Sequence, residues 1–121
     1  MLHRMTQEYV RLFNKKDIES ISLLFHEDIV LEDPSNKFLG IQSVLSEIKN
    51  LFSNKDLFLK TKHIVSDEVN NTSVLEFEIQ VGGKSLAGVD VITWVTSGDH
   101  LQIASLTAYV NEINADKPVH T

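Results

Sequence analysis

The spacing of the hydrophobic residues changes partway along this chain, and that change limits the folds open to it. Between residues 73 and 81, Leu75, Phe77, Ile79 and Val81 alternate with Glu76, Glu78 and Gln80. Alternation of this kind puts one face of a strand in a core and the other in water. Gly82-Gly83 follows, a two-residue turn that needs positive φ and so predicts a hairpin. Residues 57–66, 84–96 and 100–113 read as further strands, with turns at Asn70-Asn71 and Ser97-Gly98-Asp99. The first half has a different period. Leu2, Met5, Tyr9, Leu12 and Phe13 recur at helical steps and predict an amphipathic helix over 2–14. Asp17 reads as the N-cap of a second helix carrying Ile18, Ile21, Leu24 and Phe25. Gly40 leads into a third, with Ile41, Val44, Leu45, Ile48, Leu51 and Phe52 on its stripe. Three N-terminal helices packed on a curved, mixed or antiparallel sheet make an α+β domain.

A chain of 121 residues holds one such domain, expected over 1–113, with a polar tail over 114–121. The net charge of −6, with Lys and Arg scattered, argues against nucleic acid and anionic membrane surfaces as partners. There is no cysteine, which excludes disulfides, thiolate metal sites and thiol chemistry. The five histidines, His3, His26, His63, His100 and His120, lack metal-ligand spacing, so no metal is expected. No phosphate-binding or dinucleotide-binding glycine motif is present, and no cofactor is expected. Neither a membrane span nor the apolar core of a signal peptide is found, and a cytoplasmic location is the expectation.

Three polar groups fall where polarity is costly. Ile29-Val30-Leu31-Glu32-Asp33-Pro34 reads as a short buried strand that stops abruptly. Pro34 biases Asp33 towards extended geometry, which places a carboxylate at the strand's last position, as a general base is presented. The competing reading has Asp33 merely capping the next turn. Tyr9 lies on the buried stripe of the first helix, so its hydroxyl needs a partner, a backbone carbonyl or something functional. Asp90 shares its strand face with Leu86, Gly88, Ile92 and Trp94, while Ala87, Val89, Val91 and Thr93 fill the other. Neither face looks freely solvated, and no basic residue is near in sequence. Burial should raise its pKa and favour the protonated form, a hydrogen-bond donor. A base, a buried phenol and a neutral carboxylic acid together can remove a proton beside a carbonyl and hold the resulting enolate.

Gln7 to Asp17, then Leu24-Phe25-His26-Glu27-Asp28, then Val30-Leu31-Glu32-Asp33-Pro34 resembles the opening of Δ5-3-ketosteroid isomerase, of the NTF2-like (SnoaL-like) superfamily. Ala87-Gly88-Val89-Asp90 resembles that family's Ala-Pro-Ile-Asp. The resemblance covers about residues 5–113. It implies a cone-shaped α+β fold, Asp33 as general base, and Tyr9 and Asp90 as oxyanion donors. Two departures stand out. The loop Ser35-Asn36-Lys37-Phe38 is shorter, and Ile48 falls where the isomerase's third helix has a tyrosine.

The resulting expectation is a cofactor-independent isomerase that moves a proton between carbons flanking a carbonyl. Its small apolar carbonyl ligand would sit in a pocket lined by Leu12, Phe13, Leu31, Phe52, Ile92 and Trp94. A non-catalytic NTF2-like domain that binds a small ligand or a protein is the alternative, as is a related dehydratase, hydrolase or cyclase. Val89, Val91, Thr93 and Val95 on the second face of their strand suggest cover by another subunit, hence a homodimer through the sheet.

Overall fold

The structure, a computed structural model, describes residues 1–113. The predicted tail over 114–121 lies outside them. Helix α1 (Leu2–Lys15) buries Leu2, Thr6, Tyr9, Leu12 and Phe13 along one stripe. Lys16 ends it in the left-handed region, φ 56°, and returns its N–H to the Phe13 carbonyl. Helix α2 (Ile18–Ser22) is capped by Asp17, whose carboxylate accepts from the Ser20 N–H at 3.1 Å. It is shorter than the sequence pattern suggested, because Phe25 already opens strand β1 (Phe25–Glu32).

Asp33 is therefore not the last residue of that strand but the first beyond it. The chain reverses there and pairs back as β2 (Lys37–Leu39), with Glu32 opposite Lys37 and Leu31 opposite Phe38. Residues 34–40 carry the local pattern of a loop, and it is pairing with β1 that makes Lys37–Leu39 a strand. Gly40, at φ 87°, then starts α3 (Ile41–Phe52), which buries Val44 and Ile48. Strands β3 (Phe58–Asp67), β4 (Thr72–Val81), β5 (Lys84–Ser97) and β6 (His100–Glu112) follow at nearly the expected positions.

The six strands form one curved sheet in the order β2-β1-β6-β5-β4-β3. All neighbours are antiparallel except β1 and β6, whose parallel pairing closes the N-terminal half onto the C-terminal hairpins. The sheet is thus mixed, and its three helices are not one N-terminal block, since β1 and β2 lie between α2 and α3. Besides a register shift between Phe25 and Val30 where β1 meets β6, two irregularities help it bend. One lies between Thr61 and His63 against β4, the other between Thr93 and Trp94 against β6. An extra residue in one strand of a pair sharpens the local twist.

The helices fill the concave face. At one end Leu2, Ile21, Ile29, Leu75, Ile92, Trp94 and Ile103 pack with almost no exposure. Three polar side chains share this end and satisfy one another. The Trp94 indole N–H donates to Ser73 Oγ at 2.9 Å, and Thr6 Oγ1 bonds Ser73 Oγ at 2.8 Å and the Leu2 carbonyl at 2.7 Å.

At the other end α1 is fastened to the edge strand. The Asn14 amide donates to the Leu59 carbonyl and accepts from the Leu59 N–H, both at 2.8 Å, as a neighbouring strand would. That side chain covers an otherwise open edge and fixes where α1 can lie. Asp56 likewise holds the β4–β5 turn through the Gly82 and Gly83 N–H groups.

Candidate active site

Between the helices and the concave face, away from the packed end, a cavity of about 230 Å³ remains. Each element contributes its inward period. Strand β4 gives Phe77, Ile79 and Val81, β6 gives Leu106, Ala108 and Val110, and β5 gives Leu86 and Asp90. Helix α1 adds Tyr9 and Phe13, α3 adds Glu47, Ile48 and Leu51, and Leu31, Asp33 and Leu59 complete it. The wall is apolar apart from Tyr9, Asp33, Glu47 and Asp90.

Asp90 is placed by strand register, flanked across the sheet by Leu75 on one side and Ala108 on the other. It is 4% exposed, and no described residue forms an ion pair with it. Desolvation without a compensating charge pushes its pKa from 3.8 up to about 7. Tyr9 is 3% exposed. Burial, and secondarily the charge of nearby Asp90, lift its pKa well above the usual phenol value, so the hydroxyl keeps its proton. Neither polar group bonds to another described side chain or backbone group. Yet no sealed side-chain N or O atom among the described residues lacks a partner, so both groups face the open space of the cavity. Two proton-bearing groups aimed into an apolar hollow can jointly hold a developing oxyanion.

Asp33 is held differently. Its Oδ1 accepts from the N–H groups of Ser35 at 2.8 Å and Asn36 at 2.7 Å. Its own N–H donates to the Asn36 carbonyl at 2.9 Å. The turn-capping reading is therefore realised, and it coexists with a place in the cavity wall: Oδ1 orients the side chain, and Oδ2 has no partner among the described residues. Glu47 is the carboxylate that sequence reasoning missed. It stands beside Ile48, off the apolar stripe of α3, and the cavity reaches it all the same.

Of the six predicted lining residues, Phe13 and Leu31 line the cavity, whereas Leu12, Phe52, Ile92 and Trp94 do not. Leu12, Ile92 and Trp94 belong to the solid core, and Phe52 meets the outer side of Phe13 ring-to-edge at 5.5 Å. Period counting gives the face of a residue but not its depth along the cone. Ile48, by contrast, does line the cavity, and brings no hydroxyl to it. Gly88 is a hidden determinant of the hollow. A Cβ there would lie 2.5 Å from the Tyr109 carbonyl oxygen and 2.6 Å from Val110 Cγ1, so any side chain would displace the wall beside Asp90.

Helices on the concave face of a curved sheet, around an acid-bearing apolar cavity, make this an NTF2-like α+β domain. Residues 6–104 match the family model of the SnoaL-like domain, and the chain belongs to that family. Three solved structures illustrate the likeness. An NTF2-like protein of unknown function from Cytophaga hutchinsonii superposes with TM-score 0.78 at 14% identity, covering 92% of this chain and 90% of that one. A candidate ketosteroid isomerase from Kribbella flavida gives 0.77 at 19%, covering 96% and 82%. A steroid delta-isomerase from Pseudomonas aeruginosa gives 0.71 at 20%, covering 90% and 78%. At these identities the likeness establishes the fold. No curated protein matches the chain in sequence. Among the described residues no helix is long and apolar enough to cross a membrane, and no acidic or histidine cluster could hold a metal ion.

The buried carboxyl has a measurable consequence. A raised carboxyl pKa means that the folded state binds its proton more tightly than the unfolded chain does. Its stabilising effect is complete below 3.8 and is lost as pH rises through about 7. Asp90→Asn removes this dependence. Urea unfolding of both proteins should show the variant gaining on the wild type by roughly 4 kcal/mol across that interval. A constant difference across it would mean that Asp90 ionises normally.

Proposed function

We propose that this protein is a cofactor-independent isomerase that shifts a carbon–carbon double bond beside a ketone through a dienolate. One observation carries the reading. Tyr9 and Asp90 turn their polar groups, unpartnered among the described residues, into an apolar cavity that has Asp33 in its wall.

The ketone oxygen of the substrate accepts hydrogen bonds from the Tyr9 hydroxyl and the protonated Asp90 carboxyl. Asp33 takes a proton from the carbon between the carbonyl and the double bond. Negative charge moves to the oxygen, where the two donors bind it more strongly than they bind the ketone, which is what lowers the barrier. Asp33 then returns the proton to the far end of the dienolate, giving the conjugated enone. No net proton is gained or lost. The Asx turn around Asp33 keeps the base oriented through both transfers, and the apolar wall keeps water from competing. SnoaL-like membership and the names of two structural neighbours, a candidate ketosteroid isomerase and a steroid delta-isomerase, support this reading. A non-catalytic binding domain is the second reading, favoured by the capping role that Asp33 already fills.

The proposal includes a homodimer through the convex face, where Tyr109 is 61% exposed opposite Val89. Sedimentation at micromolar concentration should give the mass of two chains, and a monomer would refute that part.

Turnover of a bicyclic β,γ-unsaturated ketone and of its four-ring steroid counterpart, followed by the rise of enone absorbance, tests the reaction. Asp33→Asn should abolish it, and Tyr9→Phe should slow it about tenfold to a thousandfold. Because Asp90 must hold its proton, the wild-type rate should fall as pH rises through about 7. Asp90→Asn, whose amide donates at every pH, should lose that alkaline limb. A folded wild type that converts neither ketone would leave the binding domain as the reading.

A further inference from the structure

The cavity wall also constrains the charge of what enters. Among the described residues that line it, three are acidic, Asp33, Glu47 and Asp90, and none is Lys, Arg or His. Asp33, Tyr9 and Asp90 have parts in the reaction proposed above, but Glu47 has none.

Glu47 stands on the inner flank of α3, next to Ile48 and one turn before Leu51, both of which also face the cavity. It is half-buried, whereas Asp90 and Tyr9 are almost wholly buried, so Glu47 stands towards the mouth and the two donors lie deeper. Its Oε1 accepts a long bond, 3.3 Å, from Asn50 Nδ2, and its Oε2 has no partner among the described residues. A carboxylate beside apolar wall is only partly screened by water, so it repels a ligand anion and attracts a donor or cation. The chain's net charge of −6 acts in the same direction at longer range.

Size narrows the ligand further. An apolar cavity of about 150 Å³ takes one benzene ring. At about 230 Å³ this one encloses one or two fused rings, and the remaining rings of a four-ring skeleton would stand outside it.

We propose that the site takes compact carbonyl compounds that carry no negative charge, and that Glu47 selects them by accepting from a hydroxyl or ammonium group at the ligand's outer end. The inference rests on the isomerase reading for which end of the ligand goes in first. With the carbonyl oxygen against Tyr9 and Asp90, and Asp33 beside the carbon next to it, the opposite end comes to the mouth, where Glu47 stands. A carboxylate or phosphate there would meet the like charge of Glu47 and no cation among the described lining residues. Glu47 is thus a specificity-determining residue, not a catalytic one.

Three naphthols of similar size test this by fluorescence titration: 2-naphthol, 6-(aminomethyl)-2-naphthol and (6-hydroxynaphthalen-2-yl)acetate. The phenolic oxygen of each takes the enol's place against Tyr9 and Asp90. Wild type should bind the ammonium probe most tightly and the acetate most weakly. Glu47→Gln keeps the shape and the Asn50 contact but removes the charge. It should weaken the ammonium probe about threefold to tenfold, strengthen the acetate, and leave 2-naphthol nearly unchanged. Equal binding of the two charged probes, an unchanged preference in Glu47→Gln, or no binding at all would overturn the proposal. Tighter binding of a four-ring phenolic steroid than of 2-naphthol would overturn the size limit. Turnover separates this claim from the one it rests on. Charge-ordered binding without conversion of any ketone would sink the isomerase reading alone. Conversion of the bicyclic ketone with no charge preference in binding would sink the selection by Glu47 alone.

Discussion

A carboxyl group buried without a cation to pair it is the constraint on which the rest of this structure depends. Burying Asp90 between Leu75 and Ala108 opposes folding whenever the group is ionised, so folding favours the acid form up to a pH of about 7. An isolated polar group of this kind is tolerable only if something offsets it or if it faces space that a ligand can fill. Here Tyr9 stands nearby as a second unpartnered donor, and the cavity in front of both provides that space. The remainder of the domain can be understood as the means of keeping that cavity from collapsing.

Collapse is resisted at both ends. Where α1 begins, the Thr6–Ser73–Trp94 bonds knit helix to sheet around a dense core, so the cone is solid there. Where α1 ends, Asn14 ties the helix to β3 by two backbone-like bonds, which holds Tyr9 and Phe13 above the sheet rather than against it. The β5–β6 irregularity and the missing side chain at Gly88 let the neighbouring walls approach without filling the hollow. Deleting the Asn14 amide would leave two Leu59 groups wanting partners, a loss of about 1–3 kcal/mol for each group that water cannot reach. The tension between a stable fold and an open, acid-bearing cavity is common where chemistry is done.

Much of this was legible in the sequence where the signal is local. The α1 stripe, the Asp17 cap, the β4 alternation and the Gly82-Gly83 turn each depend on residues a few positions apart, and the structure has them. Asp90 stood out because an acid in an apolar strand violates its surroundings. What depends on distant pairing left no such mark. The parallel contact of β1 with β6 and the three-residue β2 carry no pattern of their own. Lining residues were misplaced for the same reason. Ile92 and Trp94 share a face with Asp90 but lie one and two steps further towards the packed end. Glu47 escaped notice because, on a helix, polar means solvated until the partner surface is known.

The central claim is that Asp90 is a neutral donor inside an apolar cavity, and its proton can be observed directly. Carbon-13 labelling of the aspartate carboxyls, followed by NMR titration of wild type and Asp90→Asn, would resolve it. The account predicts one carboxyl resonance that titrates near 7 in the wild type and is missing from the variant. If every aspartate titrates in the ordinary range around 4 instead, Asp90 is ionised at neutral pH and the oxyanion role assigned to it fails.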